Sequence, residues 1–271
     1  MHQKTKNIQK RYEGFLQTPA LWKDHTLFEM SQFEIPTKLV KLAIVIDEKL
    51  RLGRYIERFV SFQLSQSPEF KIISENVQIQ KEKITLGELD CLLTQHGQPI
   101  HLEICYKFYL YDERAGNNEI AHFIGPNRKD SLFEKLTKLQ QKQLPLLYSE
   151  SCTRYLKSLA LTSKEMKQYV CFKAQLFVPF SNKNLRLKEI NQDCIAGFYA
   201  NVKDLEQLSK SKFFIPVKKD WLLSPNKNVN WQSIDQFISA TKESLANQFS
   251  PLCWLKKPNG EIEKFFLVWW D

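Results

Sequence analysis

The chain has no apolar run approaching the roughly 20 residues that a membrane-spanning helix needs, so a helical membrane protein is excluded and no membrane partner is expected. It has no CxxC pair either. Its six cysteines (Cys91, Cys105, Cys152, Cys171, Cys194 and Cys253) match no zinc-site spacing. Only five histidines are present, none in an HExxH arrangement. There is no internal repeat and no low-complexity tract. Residues 1–11 are polar and basic with no apolar stretch, unlike a secretory signal. These absences predict a cytoplasmic protein with reduced, mostly buried thiols and no disulfide-linked partner.

With 43% hydrophobic and 25% charged residues, the 271-residue chain can bury a proper core, as one large domain or a domain plus an appendage. Its formal charge of +9 is unevenly spread. Residues 61–130 hold 7 basic and 10 acidic groups, whereas residues 131–200 hold 11 and 5. An acidic island inside a basic chain suits a metal site acting on a phosphate polymer, although solvated surface charge produces the same counts.

Apolar spacing through Leu39, Leu42, Ala43, Ile46 and Leu50, continued by Ile56, Phe59, Val60 and Leu64, predicts a helix, or two in succession, over 37–64. Strand-like runs follow at 70–80, 84–94 and 99–111, with His96-Gly97 as a turn. A loop over 117–129, a helix over 132–144 and a strand over 169–180 complete the pattern. The order helix, three strands, helix, strand implies an α/β fold with a mixed sheet. The last ninety residues are rich in Phe and Trp, which read as core more readily than as base-stacking surfaces. Lys257 to Gly260 reads as a hairpin turn there. The organisation expected is an N-terminal extension over 1–36, a core over 37–185 and an α+β C-terminal extension over 186–271.

The informative stretch is the hairpin from Ile84 to Phe108. Alternation puts Leu89, Cys91 and Leu93 on one face with Leu102, Ile104, Tyr106 and Phe108. The other face gathers Glu88 and Asp90 with His101, Glu103, Cys105 and Lys107. A turn at His96-Gly97 pairs residues whose numbers total 193, setting Asp90 across from Glu103 and Glu88 across from Cys105. Like charges so close call for a shared proton or a cation, and oxygen ligands suit Mg²⁺ or Mn²⁺. A solvated sheet face is the plain alternative. On the following helix Lys135, Lys138 and Lys142 form a stripe able to track a phosphate backbone, or simply solvated lysines; Lys183, Arg186 and Lys188 cluster later.

At these residues the chain resembles the PD-(D/E)XK nuclease superfamily, a restriction-endonuclease-like core of helix, three-stranded meander, helix and strand. Gly87-Glu88-Leu89-Asp90 resembles the first signature element, and Glu103 followed by Lys107 the second. Glu57, within Gly53-Arg54-Tyr55-Ile56-Glu57-Arg58-Phe59, is the counterpart of the helix glutamate of such nucleases. More closely, LGRYIERFV, GELDCLL, HLEICYKFYLY and GPNRKDSLFEKL resemble the bacterial family designated domain of unknown function 1853. The nuclease resemblance covers about residues 50–180 and the closer one most of the chain. It implies Asp90, Glu103 and Glu57 as ligands of Mg²⁺ or Mn²⁺, Lys107 as the catalytic lysine, and phosphodiester hydrolysis of DNA or RNA. One position departs from the superfamily pattern: Cys105 stands where Glu-x-Lys would place the lysine, and Lys107 follows one pleat later. A catalytically silent nucleic-acid-binding module and a protein-interaction role for the aromatic C-terminus are the alternative readings.

Overall fold

A computed structural model describes residues 2–271, in two compact units. The first comprises Ala20–Tyr106 and Glu134–Lys173; the second comprises the residues up to Pro19, Lys107–Phe133 and Ala174–Asp271. Residue 1, part of the expected N-terminal extension, lies outside the described residues. Among the described residues, no helix is long and apolar enough to cross a membrane.

In the first unit, helix α2 (Leu52–Ser65) precedes the strands β1 (Phe70–Lys81), β2 (Ile84–Gln95) and β3 (Gln98–Tyr111), the last of which continues into the second unit. Helix α1 (His2–Gln17) belongs to the second unit. The three predicted runs are therefore strands, with ends within one residue of the expected positions. They form an antiparallel meander, and the β2–β3 register runs from Gln95↔Gln98 to Cys91↔Leu102, as a two-residue turn requires. His96 and Gly97 take φ of 49° and 84°, the left-handed pair a type I′ turn needs and the reason a glycine stands there. The ladder stops short of Asp90 and Glu103; the Asp90 side chain instead accepts from the Ile104 N–H at 2.9 Å.

The expected helix over 37–64 forms only from Leu52 onward. Residues 37–46 are irregular. Thr37, Val40, Ile44, Val45 and Ile46 are β-branched and cost helix stability, and of the apolar stripe only Ile46 is buried while Leu39 and Ala43 are exposed, so little burial compensates. Helix α3 (Leu132–Lys138) is likewise shorter than expected and runs into a π-helical turn at Leu139–Gln143 and a 3₁₀ turn at Leu144–Tyr148. Pro145 accounts for this: it has no N–H to donate and its ring crowds the preceding turn, while Leu144 N–H reaches Leu139 O. Helix α4 (Glu150–Ser158) and strand β5 (Lys167–Pro179) follow. Within this unit the strand order is β1-β2-β3-β5, and Ile79, Leu89, Leu92, Leu147, Cys152 and Leu156 make a core between sheet and helix.

The second unit takes up the ends of β3 and β5, with the two-residue β4 (Phe123–Ile124) on β3. Strands β6 (Ile195–Ala200), β7 (Lys212–Phe214), β8 (Leu252–Lys256) and β9 (Ile262–Leu267) continue the order as β5-β6-β9-β8-β7. β5, β6 and β9 are parallel neighbours while β7 and β8 are antiparallel, so the sheet is mixed. Helix α5 (Ile234–Ala246) opens with a capping box of Ser233 and Gln236. The C-terminal aromatics are core here: Phe213 stacks on Phe237 at 4.5 Å and Phe198 on Phe265 at 5.4 Å. Lys257 to Gly260 lies in the turn between β8 and β9.

Candidate functional site

β2 and β3 carry the carboxylates, and α3 with its π turn lies over them. The solvated sheet face that alternation alone allowed is not what forms. His101 and Glu103 are fully buried and Cys105 nearly so. Glu103 uses both oxygens: Oε1 lies 3.0 Å from His101 Nε2, and Oε2 accepts from Gln143 Nε2 at 2.5 Å. Gln168 Nε2 donates to His101 Nδ1 at 2.9 Å and to Leu144 O at 2.7 Å. Because that amide nitrogen can only donate, the imidazole proton sits on Nε2 and faces Glu103. A buried carboxylate is thus held by a polar chain running Gln168–His101–Glu103–Gln143, which offsets part of its desolvation.

Asp90 is half-buried, and its carboxyl is pushed up to about 8, first by burial and then by the Glu103 and Glu57 charges, against the Ile104 N–H and Lys135. Oδ2 takes the Ile104 N–H. No hydrogen bond to Oδ1 is made among the described residues.

The helix glutamate acts on Asp90 through its charge and is itself held by α2 and β1. Glu57 Oε2 accepts from Arg54 at 2.9 Å and from Asn76 at 2.6 Å, and Arg54 also grips the Glu88 carboxylate at 2.5 Å. Arg58 reaches Glu75 at 3.3 Å. Two arginines of α2 thus pair with Glu75 and Glu88 of the acidic island and with Glu57 of their own helix.

The lysines are redistributed. Lys107 belongs to the second unit and pairs with Asp130 at 2.8 Å. It stands four residues from Glu103, about 13 Å along an extended strand. Lys135, expected as part of a phosphate-tracking stripe, turns inward instead. Its Nζ donates to Gln143 Oε1 at 2.8 Å and hydrogen-bonds Cys105, and its charge acts on Asp90. Burial keeps the Cys105 thiol up, at about 11, against the pull of Lys135, so the thiol stays protonated. Lys138 and Lys142 remain exposed. An ammonium therefore does stand beside the position the superfamily gives to lysine, but it arrives from α3. Gln143, Gln168 and Lys135 were not legible as a set, since only the packing of α3 and β5 on β3 joins them. Pro145 was the one local signal of the turn that delivers Gln143.

Among the described residues no three His, Cys, Asp or Glu side chains converge as a metal-ligating group. Mg²⁺ commonly takes only one or two carboxylates and keeps its waters. Asp90 and Glu103 meet that requirement as two hard oxygen donors, with Asp90 Oδ1 open and a mutual repulsion that a cation would relieve. Glu57 has Oε2 held by Arg54 and Asn76, and its charge acts on Asp90.

A family model described as Domain of unknown function (DUF1853) matches residues 10–268. No curated protein and no solved structure matches the chain.

Proposed function

Because this chain belongs to the domain of unknown function 1853 family, whose description assigns no activity, we propose a function from the site itself: metal-dependent hydrolysis of nucleic-acid phosphodiester bonds on a PD-(D/E)XK-like core. The observation that carries this reading is the approach of Lys135 to Cys105 beside Asp90 and Glu103. It restores two carboxylates and one ammonium on a helix–meander–helix–strand frame. Asp90 and Glu103 would hold Mg²⁺ or Mn²⁺. When bound, that ion supplies charge neutralisation at the phosphate and a water acidic enough to attack. Glu103 is oriented by His101 and Gln143, one on each carboxylate oxygen. Lys135 holds an attacking water by a hydrogen bond and offsets the negative charge that grows on the phosphoryl oxygens. Lys107 keeps its pairing with Asp130 and has no part in the chemistry.

A second reading has its own observation. Both Glu103 oxygens already carry hydrogen bonds, which suits a site that binds nucleic acid without cutting it. Calorimetric titration of Mg²⁺ and Mn²⁺ into wild type and Asp90→Ala, beside cleavage of mixed DNA and RNA substrates, separates the two. Hydrolysis predicts metal uptake and cleavage that both vanish in Asp90→Ala. Lys135→Met should keep metal uptake and lose about 10²–10³-fold in cleavage. Nucleic-acid binding without metal uptake would establish the silent module, and cleavage surviving Asp90→Ala would sink the assignment.

A further inference from the structure

The second unit contains a cleft of about 520 Å³ remote in sequence from the carboxylates, lined among others by Gln17, Gln175, Lys183, Asp193, Glu263 and Lys264. Lys264 is the unusual member. Its side chain extends from β9, and the residue is only 7% exposed. Nζ donates to Gln175 Oε1 and to Trp221 O, both at 2.8 Å. Both acceptors are uncharged, and among the described residues no carboxylate pairs with this amine. A buried ammonium without a counter-ion is costly, and a third N–H would need a third acceptor. A neutral amine has two N–H groups, which these two acceptors satisfy, and it keeps its lone pair. Burial alone brings the Lys264 ammonium down to about 7, so near neutrality much of it is free base.

The charge of the lining narrows the ligand. Lys183 pairs with Glu263 at 3.2 Å, a carboxylate that Lys257 also holds at 2.8 Å, and lies over the Phe198 ring at 3.7 Å. Asp193 adds a negative charge. An incoming anion therefore meets no surplus of positive charge here, whereas an uncharged carbonyl compound is not repelled.

We propose that this cleft is a second ligand site, in which the Lys264 amine forms an imine with a small, uncharged aldehyde or ketone. The Nζ lone pair attacks the carbonyl carbon, and the C=O π bond gives way to a carbinolamine. The two nitrogen protons then leave with the carbonyl oxygen as water, and a C=N bond remains. No redox partner is required. Gln175 and Trp221 position the amine through their oxygens, and Lys264 is a lone nucleophile desolvated by its surroundings.

The test uses the intact protein with propionaldehyde and cyanoborohydride at pH 7, followed by peptide mapping in the mass spectrometer. Lys264 should be alkylated at least about tenfold faster than the exposed lysines, which are almost wholly protonated at that pH. In Lys264→Arg that labelled peptide should disappear while surface labelling is unchanged. Labelling of Lys264 no faster than that of the surface lysines overturns the proposal, whatever the variant does. The outcome is independent of metal uptake at Asp90, so either site can fail alone.

Discussion

Burial and the neighbouring Glu103 charge push the Asp90 carboxyl in the same direction, up to about 8, while in the unfolded chain the same group titrates near about 3.9. The folded protein thus keeps a proton across a window in which the unfolded chain has released it. Stability contributed by that proton is complete below about pH 4 and is lost as pH climbs towards 8. In chelator, the unfolding free energy of wild type should fall over this window more steeply than that of Asp90→Asn, by up to about 1.4 kcal/mol per pH unit. Urea titrations at several pH values measure it, and parallel slopes for the two proteins would remove the raised Asp90 carboxyl from the argument. At this scale the sequence already named Asp90 and Glu103, because alternation along two adjoining strands puts them on one face. The lysine contacts were beyond it: alternation tells which side of a strand Lys107 takes, but not that Asp130 holds it or that Lys135 of a helix reaches Cys105.

The meander was readable element by element because its determinants are local: period-two alternation, β-branched and aromatic runs, and a turn that demands two left-handed residues. Gly97 at φ 84° is the point of greatest dependence. Gly97→Ala leaves open space around the new methyl group yet forces an L-residue into that conformation, at a cost of about 1–2 kcal/mol. Chemical denaturation should show that loss with metal uptake at Asp90 retained; an unchanged midpoint would mean the turn does not set the register. The helices were less readable. Apolar spacing at 39–50 imitates a helix, but β-branched residues and the absence of a surface to bury that stripe leave it irregular. α3 ends early because Pro145 acts several residues ahead of itself, and the π turn that results is what places Gln143 on Glu103.

Across the whole molecule, all six cysteines are free and buried in the folded protein. Burial drives the Cys91 and Cys171 thiols up to about 12 and those of Cys105 and Cys152 to about 11. An aromatic disulfide reagent at pH 8 should therefore titrate almost no thiol in the native protein and six in guanidinium; rapid native reaction at any of them would show an opening that the packing does not provide. The sequence by itself determined a core-rich α/β chain with Asp90 and Glu103 on one hairpin, since hydrophobic content and short-range periodicity are properties of neighbouring residues. Only the tertiary structure decided that this polar face is covered, that Lys135 of α3 reaches Cys105, and that Gln168 and Gln143 steady His101 and Glu103. Among the described residues it likewise gave Lys264 no carboxylate partner. These outcomes depend on which distant side chains arrive within about 3 Å of a buried charge, and that is set by how helix and sheet pack, for which the chain carries no local signal.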